Sequence, residues 1–338
     1  MTPFPEVTGI RMADGAIKRI LGAITMPQKI GIVVDAACDL PRSFLTQHGI
    51  EIMPINMQFG TMNFKDVRDP EQTMEFYRRY VAEKELEITT APLSVKAIKD
   101  WFLDQLVLKY DRVLVITVSS SRSPVFENAT KASFMILSGY KERRKAAGLE
   151  EQFALRVLDS KTLFTGQGVV VFEALRLMQG GQEELAFDRL RQHVENFSQD
   201  VHAYLVPQDL YYVRARAHQK GDKSVGWLKY QMGTMLDIKP ILKAYRGETD
   251  AVETVRGFDG AIKRLFAIAG EAVENGLLTK VVCMSYAGNP EDVKSFPGYN
   301  EFIKLAHANK VETLLSVMST VAGIHVGPGA FSLAYAAK

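Results

Sequence analysis

The sequence predicts an α/β protein built from two domains. Over the first half of the chain, short β-branched runs alternate with amphipathic helical patterns, which indicates strand–helix–strand units and a mostly parallel sheet. Beyond Gln182 this alternation changes. The length of 338 residues also favours division, since single cores stop growing at roughly 250 to 300 residues. We expect an N-terminal α/β domain over 29–165, a C-terminal α/β domain over 166–338 and a ligand cleft between them.

The first domain opens with a strand. Residues 29–34 form a short apolar run typical of a buried strand, and the acidic residues and the proline of 35–41 end it. A short amphipathic helix at 42–48 and a second strand at 52–57 follow. Asp69 and Pro70 have the pattern of an N-cap and a first-turn proline, so a helix is predicted from there to Tyr80.

The middle of the chain continues the alternation. A polar loop is predicted at 89–92, a helix at 94–109, where apolar residues recur at steps of three and four, and a β-branched strand at 112–118. A serine-rich turn at 119–123 follows that strand. The remaining predicted elements are a helix at 124–137, a strand at 155–158 and a helix at 166–178 that two glycines end. Ligands bind beyond the carboxyl ends of parallel strands, so the serine-rich turn lies where a site is expected.

The second domain has a different order of elements. A helix up to Phe197, a strand near Tyr204 and a helix from Pro207 precede a polar stretch at 214–224. Strands at 238–244, 251–255, 280–284 and 312–318 and a helix at 259–274 complete it. The extension 1–28 has the apolar spacing of a short amphipathic helix, which we expect to pack on the body; a membrane-surface anchor is the alternative.

Composition excludes several classes of protein. Lys and Arg number 41 against 39 Asp and Glu, so no basic face points to a nucleic-acid partner. Cys38 and Cys283 form no CxxC pair, which argues against a disulfide framework and a thiolate zinc site and fits the cytoplasm. Apolar runs are far shorter than the ~20 residues of a transmembrane helix, so no membrane-spanning segment is expected.

Several common catalytic motifs do not occur. The sequence contains no GxxxxGK[ST] loop, no GxSxG elbow and no HExxH, and its GxG fragments do not extend to GxGxxG. The six histidines lack metal-ligand spacing. No cofactor or metal is therefore predicted.

Hydroxyl groups on predicted turns are the remaining candidates for a site. Ser123 before Pro124 has the pattern of an N-cap, and the helix N–H groups behind it would suit an anionic head group; the alternative is that Ser123 only caps its own helix. Thr89 and Thr90 could equally hold an extended turn before Pro92. His325 is predicted on a loop before a glycine turn, where an ordinary hydrogen-bonded imidazole is the alternative.

The order of these motifs resembles that of the DegV family, also known as bacterial fatty-acid-binding proteins. The family patterns are Asp-Ser-x-x-Asp-Leu-Pro, aromatic-x-Asp, Thr-Ser-Gln-Pro, Ser-Ser-x-x-Ser, Val-x-Asp-Ser and Asn-Ile-Lys-Pro-Ile. The corresponding segments here are IVVDAACDLP at 32–41, FKD at 64–66, TTAP at 89–92, SSSRS at 119–123, VLDS at 157–160 and IKPIL at 238–242, followed by VRG at 255–257 and HVGPG at 325–329.

The resemblance implies a two-domain α/β protein that holds one long-chain fatty acid in an apolar tunnel, with the carboxylate in the cleft between the domains. Thr89, Ser123 and His325 would be the head-group ligands, with Thr90 and Arg256 in supporting roles. The family presents its lipid to a separate ATP-dependent kinase that phosphorylates the carboxylate for phospholipid synthesis, so the chain would not itself be an enzyme. Arg256 would then neutralise phosphate or contact the kinase, an ordinary surface ion pair being the alternative.

The sequence departs from the family pattern at two places, and two other functions stay open. Pro124 replaces the usual glycine after Ser123, and 214–224 replaces a Gly-Gly-Arg stretch, which bears on carboxylate binding and on kinase docking. A serine hydrolase would use Ser123 as nucleophile, His325 as base and Asp35 or Asp159 as orienting group. A lipid-responsive regulator with another partner is the third interpretation.

Overall fold

A parallel sheet of four strands, in the order β2-β1-β6-β7, forms the centre of the N-terminal domain. The computed structural model describes residues 28–59, 62–82, 88–150, 152–179, 186–214 and 237–338. The expected helix within 1–28 and the polar stretch beyond Arg214 lie outside these residues. The strands are β1 Ile30–Asp35, β2 Glu51–Met53, β6 Arg112–Thr117 and β7 Ala154–Asp159, and they confirm the predicted parallel sheet.

Helices cover both faces of this sheet, because its strands are apolar on both sides. On one face lie α3 Val95–Gln105 and α4 Val125–Met135, which pack on Val33, Val113 and Val115. On the other face, Ile32, Val34 and Leu114 pack with α6 Thr165–Gln179 and α7 Phe187–Ser198. The remaining helices of this half are α1 Arg42–Gln47, α2 Pro70–Ala82, a 3₁₀ turn Ile136–Ser138 and α5 Tyr140–Ala146.

The N-terminal half also contains a small antiparallel sheet in the order β4-β3-β5, and two sequence predictions were wrong in this region. The strand expected at 52–57 is divided at Pro54 into β2 and β3 Ile55–Phe59, which belong to different sheets. Proline has no N–H for a ladder, so it separates the two strands. The loop expected at 89–92 is instead largely strand β5 Ile88–Ala91, which pairs with β3, as does β4 Met62–Asp66.

The C-terminal part contains a six-stranded mixed sheet in the order β10-β9-β8-β13-β11-β12. One face packs on α6, which therefore lies between the two large sheets, and the other face packs on α8 and α9. The strands are β8 Val201–Val206, β9 Ile238–Tyr245, β10 Glu248–Arg256, β11 Val281–Tyr286, β12 Glu312–Val317 and β13 Phe331–Ala336. The helices are α8 Phe258–Asn275, a 3₁₀ segment Pro290–Ser295, α9 Tyr299–Ala308 and α10 Thr320–Val326.

Two local predictions in this half need correction. Strand β13 was not predicted, although it pairs with both β8 and β11 near the middle of the sheet. The helix expected from Pro207 begins at Leu210. No helix within the described ranges is long and apolar enough to cross a membrane.

Candidate functional site

Thr90 and His325 meet where the small sheet of the N-terminal domain touches α10. The hydroxyl oxygen of Thr90 lies 3.0 Å from Nε2 of His325, and the tautomer of the ring decides which of the two donates. Both side chains are partly buried. His325 is in the last turn of α10 and not on the predicted loop, because Ser319 caps a helix that runs to Val326. The contact joins the two halves of the protein.

Thr89 and Thr90 occupy neighbouring positions of β5 and so point to opposite faces of the small sheet. Ile88, on the face of Thr90, is fully buried, whereas Thr89 is exposed. The family resemblance implied Thr89 as a head-group ligand and Thr90 as a supporting residue, but the structure brings Thr90, and not Thr89, to His325. The signal that separates them is the period of two along a strand, which could not be applied while this segment was assigned to a loop.

Ser123 lies on the serine-rich turn after β6, as predicted, but it does not cap the next helix. The N-cap of α4 is Pro124, and the cap makes no side-chain hydrogen bond. The backbone N–H of Ser123 donates to the carbonyl of Ser119 at 3.2 Å, which closes the turn. The Ser123 hydroxyl makes no hydrogen bond to another described residue, and the side chain is partly exposed. It is therefore available to a ligand.

The serine-rich turn is hydrogen-bonded to the hairpin between β9 and β10. Ser121 donates its hydroxyl to the carbonyl of Gly247 at 2.5 Å, and the N–H of Gly247 donates to the carbonyl of Lys161 at 2.7 Å. Gly247 is at the tip of the β9–β10 hairpin with a φ of 86°, a conformation that favours glycine. The hairpin of the C-terminal half thus reaches across to the strand ends of the N-terminal sheet.

Asp35 and Asp159 act as acceptors for the loops around this turn. The carboxylate of Asp35 accepts hydrogen bonds from the N–H groups of Ala37 and Val118 and from the amide of Gln167. Burial nevertheless raises the pKa of Asp35 to about 6. Burial by itself would raise the pKa of Asp159. The hydrogen bonds from Ser120 and Lys161 outweigh this effect, and the pKa of Asp159 lies below its usual value.

The described residues do not assemble the hydrolase triad considered above. The Nε2 atom of His325 meets Thr90, and no hydrogen bond joins Ser123 to the imidazole. The hydrogen bonds that Asp35 and Asp159 accept come from backbone N–H groups and from the Gln167 amide, and Asp159 is also paired with Lys161 at 2.9 Å. Neither Asp35 nor Asp159 therefore acts as an orienting carboxylate for the imidazole of His325.

Arg256 is exposed at the end of β10, an edge strand of the six-stranded sheet. The next residue in the chain, Gly257, is the N-cap of α8. Among the described residues it forms no ion pair, and the structure does not bring it to Thr90 or His325.

A cavity of about 630 Å³ opens between the two halves next to α10. Its walls are mostly apolar and come from α2, from the start of the helix at Leu210 and from the loops after β11 and α10. Sequence analysis did not single out its three tyrosines, since tyrosine in a helix or strand is commonly a core residue. The lining residues are Met74, Tyr77, Arg78, Gln208, Asp209, Tyr212, Tyr286, Ala287, Gly288, Pro328 and Gly329.

Comparison with known proteins gives a consistent result. Residues 29–338 match the sequence model described as uncharacterised protein, DegV family. A DegV domain-containing protein of Xanthomonas axonopodis pv. citri is 43% identical over 310 residues, covering 92% of this chain and 98% of the relative. A fatty acid-binding protein of Thermotoga maritima is 26% identical over 313 residues, covering 89% of this chain and 95% of the relative.

Solved structures share the fold. The DegV fatty acid binding protein of Bacillus subtilis superposes with a TM-score of 0.71 at 20% identity, covering 92% of this chain and all of that one. A stearic acid-binding protein of Eubacterium ventriosum also gives a TM-score of 0.71 at 20% identity, covering 91% of this chain and 98% of that one. At these identities the likeness establishes the two-domain architecture alone.

Proposed function

Because the chain belongs to the DegV family, we propose that it binds one long-chain fatty acid with the carboxylate at Thr90 and His325. The single observation that carries this proposal is the 3.0 Å contact between these two side chains across the two halves of the protein. A threonine hydroxyl and an imidazole N–H can both donate hydrogen bonds to a carboxylate. Ser123 adds a hydroxyl on the turn after β6.

The surroundings of the pair suit the rest of a fatty acid. Thr90 follows Ile88 on the same face of β5 and lies opposite Met57 of β3, and both neighbours belong to the apolar core of the N-terminal domain. Ile324, next to His325, belongs to the same core. In this arrangement the polar pair at the rim would bind the head group, and the adjoining apolar core would surround the acyl chain. A tail of about sixteen carbons would contribute on the order of ten kcal/mol at ~0.8 kcal/mol per methylene, before the costs of association.

The protein then acts as a carrier, and the chemistry belongs to a partner. In this proposal an ATP-dependent kinase phosphorylates the carboxylate while the chain holds the lipid in the cytoplasm. The cavity beside α10 supports this carrier role, because the cavity is open and its walls come from both halves of the chain. Pro124 removes one backbone N–H from the Ser123 turn, so the side-chain donors carry more of the carboxylate binding than they would beside a glycine.

Mass spectrometry of lipid released from the purified protein under denaturing conditions tests the proposal. We expect close to one fatty acid per chain, with the intact native mass raised by the same amount. Protein stripped of lipid should take up added fatty acid, and His325→Ala should lose most of that uptake. A protein that arrives empty and takes up no fatty acid would refute the carrier role. Kinase presentation is tested separately, by ATP-dependent acyl-phosphate formation in an extract with and without the loaded protein.

A further inference from the structure

A buried cluster of charges holds the start of α10, the helix that carries His325. Asp39, Asp66 and Arg68 come from the N-terminal half and are each almost completely buried. Nη1 of Arg68 lies 3.4 Å from Oδ1 of Asp39. All three side chains contact the backbone between the last residue of β12 and the first turn of α10, so the cluster crosses the boundary between the two halves.

The cluster contacts α10 and its preceding turn through backbone atoms. Asp39 accepts a hydrogen bond from the N–H of Ser319 at 2.8 Å, and its other oxygen accepts one from the side-chain hydroxyl of Ser285 in β11 at 2.7 Å. Nη2 of Arg68 donates to the carbonyl of Val317 at 3.0 Å. Backbone contacts of this kind locate the chain itself, whichever side chains it carries.

Asp66 links the same turn to the small sheet. One of its oxygens accepts from the N–H of Arg68 at 2.8 Å, and the other accepts from the N–H of Val321 in the first turn of α10 at 3.2 Å. Asp66 ends β4, which pairs with β3, and β3 pairs with the strand of Thr90. The small sheet therefore contacts α10 at two places: Asp66 contacts the start of the helix, and Thr90 contacts its end.

We propose that Arg68 is a positioning residue for the Thr90–His325 pair: held against Asp39 and Val317, it fixes α10 so that the imidazole reaches the threonine hydroxyl. Arg68 has a φ of 59°, so the chain adopts an uncommon conformation to turn this side chain inward. The guanidinium has no other carboxylate partner within 4 Å in the described part of the chain. In its absence the segment before α10 would lose one of its hydrogen bonds to the N-terminal half, the one at Val317.

The test compares, in the full chain, two arginine–aspartate pairs in which the arginine is buried. Arg68→Met with Asp39→Asn removes both members of the proposed positioning pair, and Asp66 keeps its hydrogen bonds from the N–H groups of residues 68 and 321. Arg144→Met with Asp111→Asn is the matched control, because Arg144 is as deeply buried and pairs with Asp111 at 2.7 Å. Asp111 lies just before β6, at the amino ends of the parallel strands, whereas Asp39 follows β1 beyond their carboxyl ends, so this control leaves α10 untouched.

The first readout is the ¹H–¹⁵N correlation spectrum of the histidine rings, with His325 assigned through His325→Gln. We expect the His325 signal to move towards that of a solvated imidazole in the Arg68/Asp39 variant and to stay in place in the Arg144/Asp111 control. An unmoved signal in a folded Arg68/Asp39 variant would overturn the proposal, and so would an equal shift in both variants.

The second readout is the affinity for fatty acid, and this arm rests on the proposed function. We expect a loss of about tenfold in the Arg68/Asp39 variant, the value of one charge-assisted hydrogen bond, and no comparable loss in the control. If the wild type binds no fatty acid while the His325 signal still moves, the proposed function fails and the positioning role stands. Should the double variant not fold, Ser285→Ala, which removes one hydrogen bond to Asp39, must move the same signal by a smaller amount; no movement would overturn the proposal.

Discussion

The hydroxyl of Thr90 lies 3.0 Å from Nε2 of His325, although 235 positions separate the two residues in the chain. Thr90 belongs to a strand of the N-terminal small sheet and His325 to the last turn of α10. Because the pair spans the two halves, any change in how the halves are placed changes the distance between its donor and acceptor atoms.

Thr90→Val should weaken fatty-acid binding about tenfold, because valine has nearly the shape of threonine but cannot donate to a carboxylate. Thr89→Val is the matched control, and we expect its affinity to stay close to wild type, since this side chain points to the other face of the small sheet. Displacement of a fluorescent fatty acid measures both. A larger loss in the Thr89 variant would place the head group on the opposite face.

Ser123→Ala should also weaken fatty-acid binding, by a few-fold to about tenfold, with little change in thermal stability. The Ser123 hydroxyl has no protein partner among the described residues, so its loss costs the fold little. Ser121→Ala provides the comparison: it removes the hydrogen bond to Gly247 and should lower the melting temperature. The head-group role of Ser123 would be contradicted by unchanged affinity.

Asp35→Asn should change how stability depends on pH. The pKa of Asp35 is about 6 in the folded protein, above its ordinary value of 3.8, because burial disfavours the carboxylate. The folded state therefore binds the proton more tightly, and stability from this group is present at low pH and lost as pH rises through about 6. Urea unfolding between pH 4 and 7 should show wild type losing about 2 kcal/mol relative to the variant.

Asp159→Asn supplies a control of opposite sign. The pKa of Asp159 is held low, despite burial, by the hydrogen bonds from Ser120 and Lys161, so its contribution is present above its unfolded pKa and lost as pH falls through its folded pKa. The stability of wild type relative to this variant should thus fall towards low pH. Parallel profiles for wild type and Asp35→Asn would show that Asp35 titrates normally.

Gly323→Ala should destabilise the protein by about 1 to 3 kcal/mol and weaken fatty-acid binding. An added methyl group there would overlap the Tyr77 ring and hydroxyl, which donates to the carbonyls of Met318 and Ser319 just before α10. Gly270→Ala is the comparison, since its nearest neighbour is a terminal methyl group of Leu305 at 3.2 Å, which can move. Thermal unfolding and the binding assay distinguish the two variants; equal melting temperatures would contradict the predicted overlap.

The alternation of strands and helices was predictable because each element buries one face, and that requirement appears as a local period in the sequence. The buried strands β1 and β6 and the helices α3, α6 and α8 follow this pattern closely. The collinear motifs likewise pointed to the family before any geometry was known. Both kinds of information lie in short windows of the chain.

Elements stabilised by distant partners could not be read in this way. Thr89 and Thr90 are polar and Pro92 follows shortly after, so the local pattern favoured a loop at 89–92, yet pairing with β3 makes 88–91 a strand. His325 was expected on a loop for the same reason, since α10 is a short helix held by Asp66 and Asp39 from the other half. Tertiary contacts overrode the local preference in both cases.

The sequence by itself determined the fold class, the family and the small set of residue types available for a carboxylate site. Only the tertiary structure decided that Thr90 and not Thr89 faces His325, that Ser123 does not cap α4, and that Asp39, Asp66 and Arg68 hold the helix of His325. The physical reason is that the face to which a strand residue points depends on pairing register. Register is set by hydrogen bonds between segments far apart in the chain, and no local window contains them.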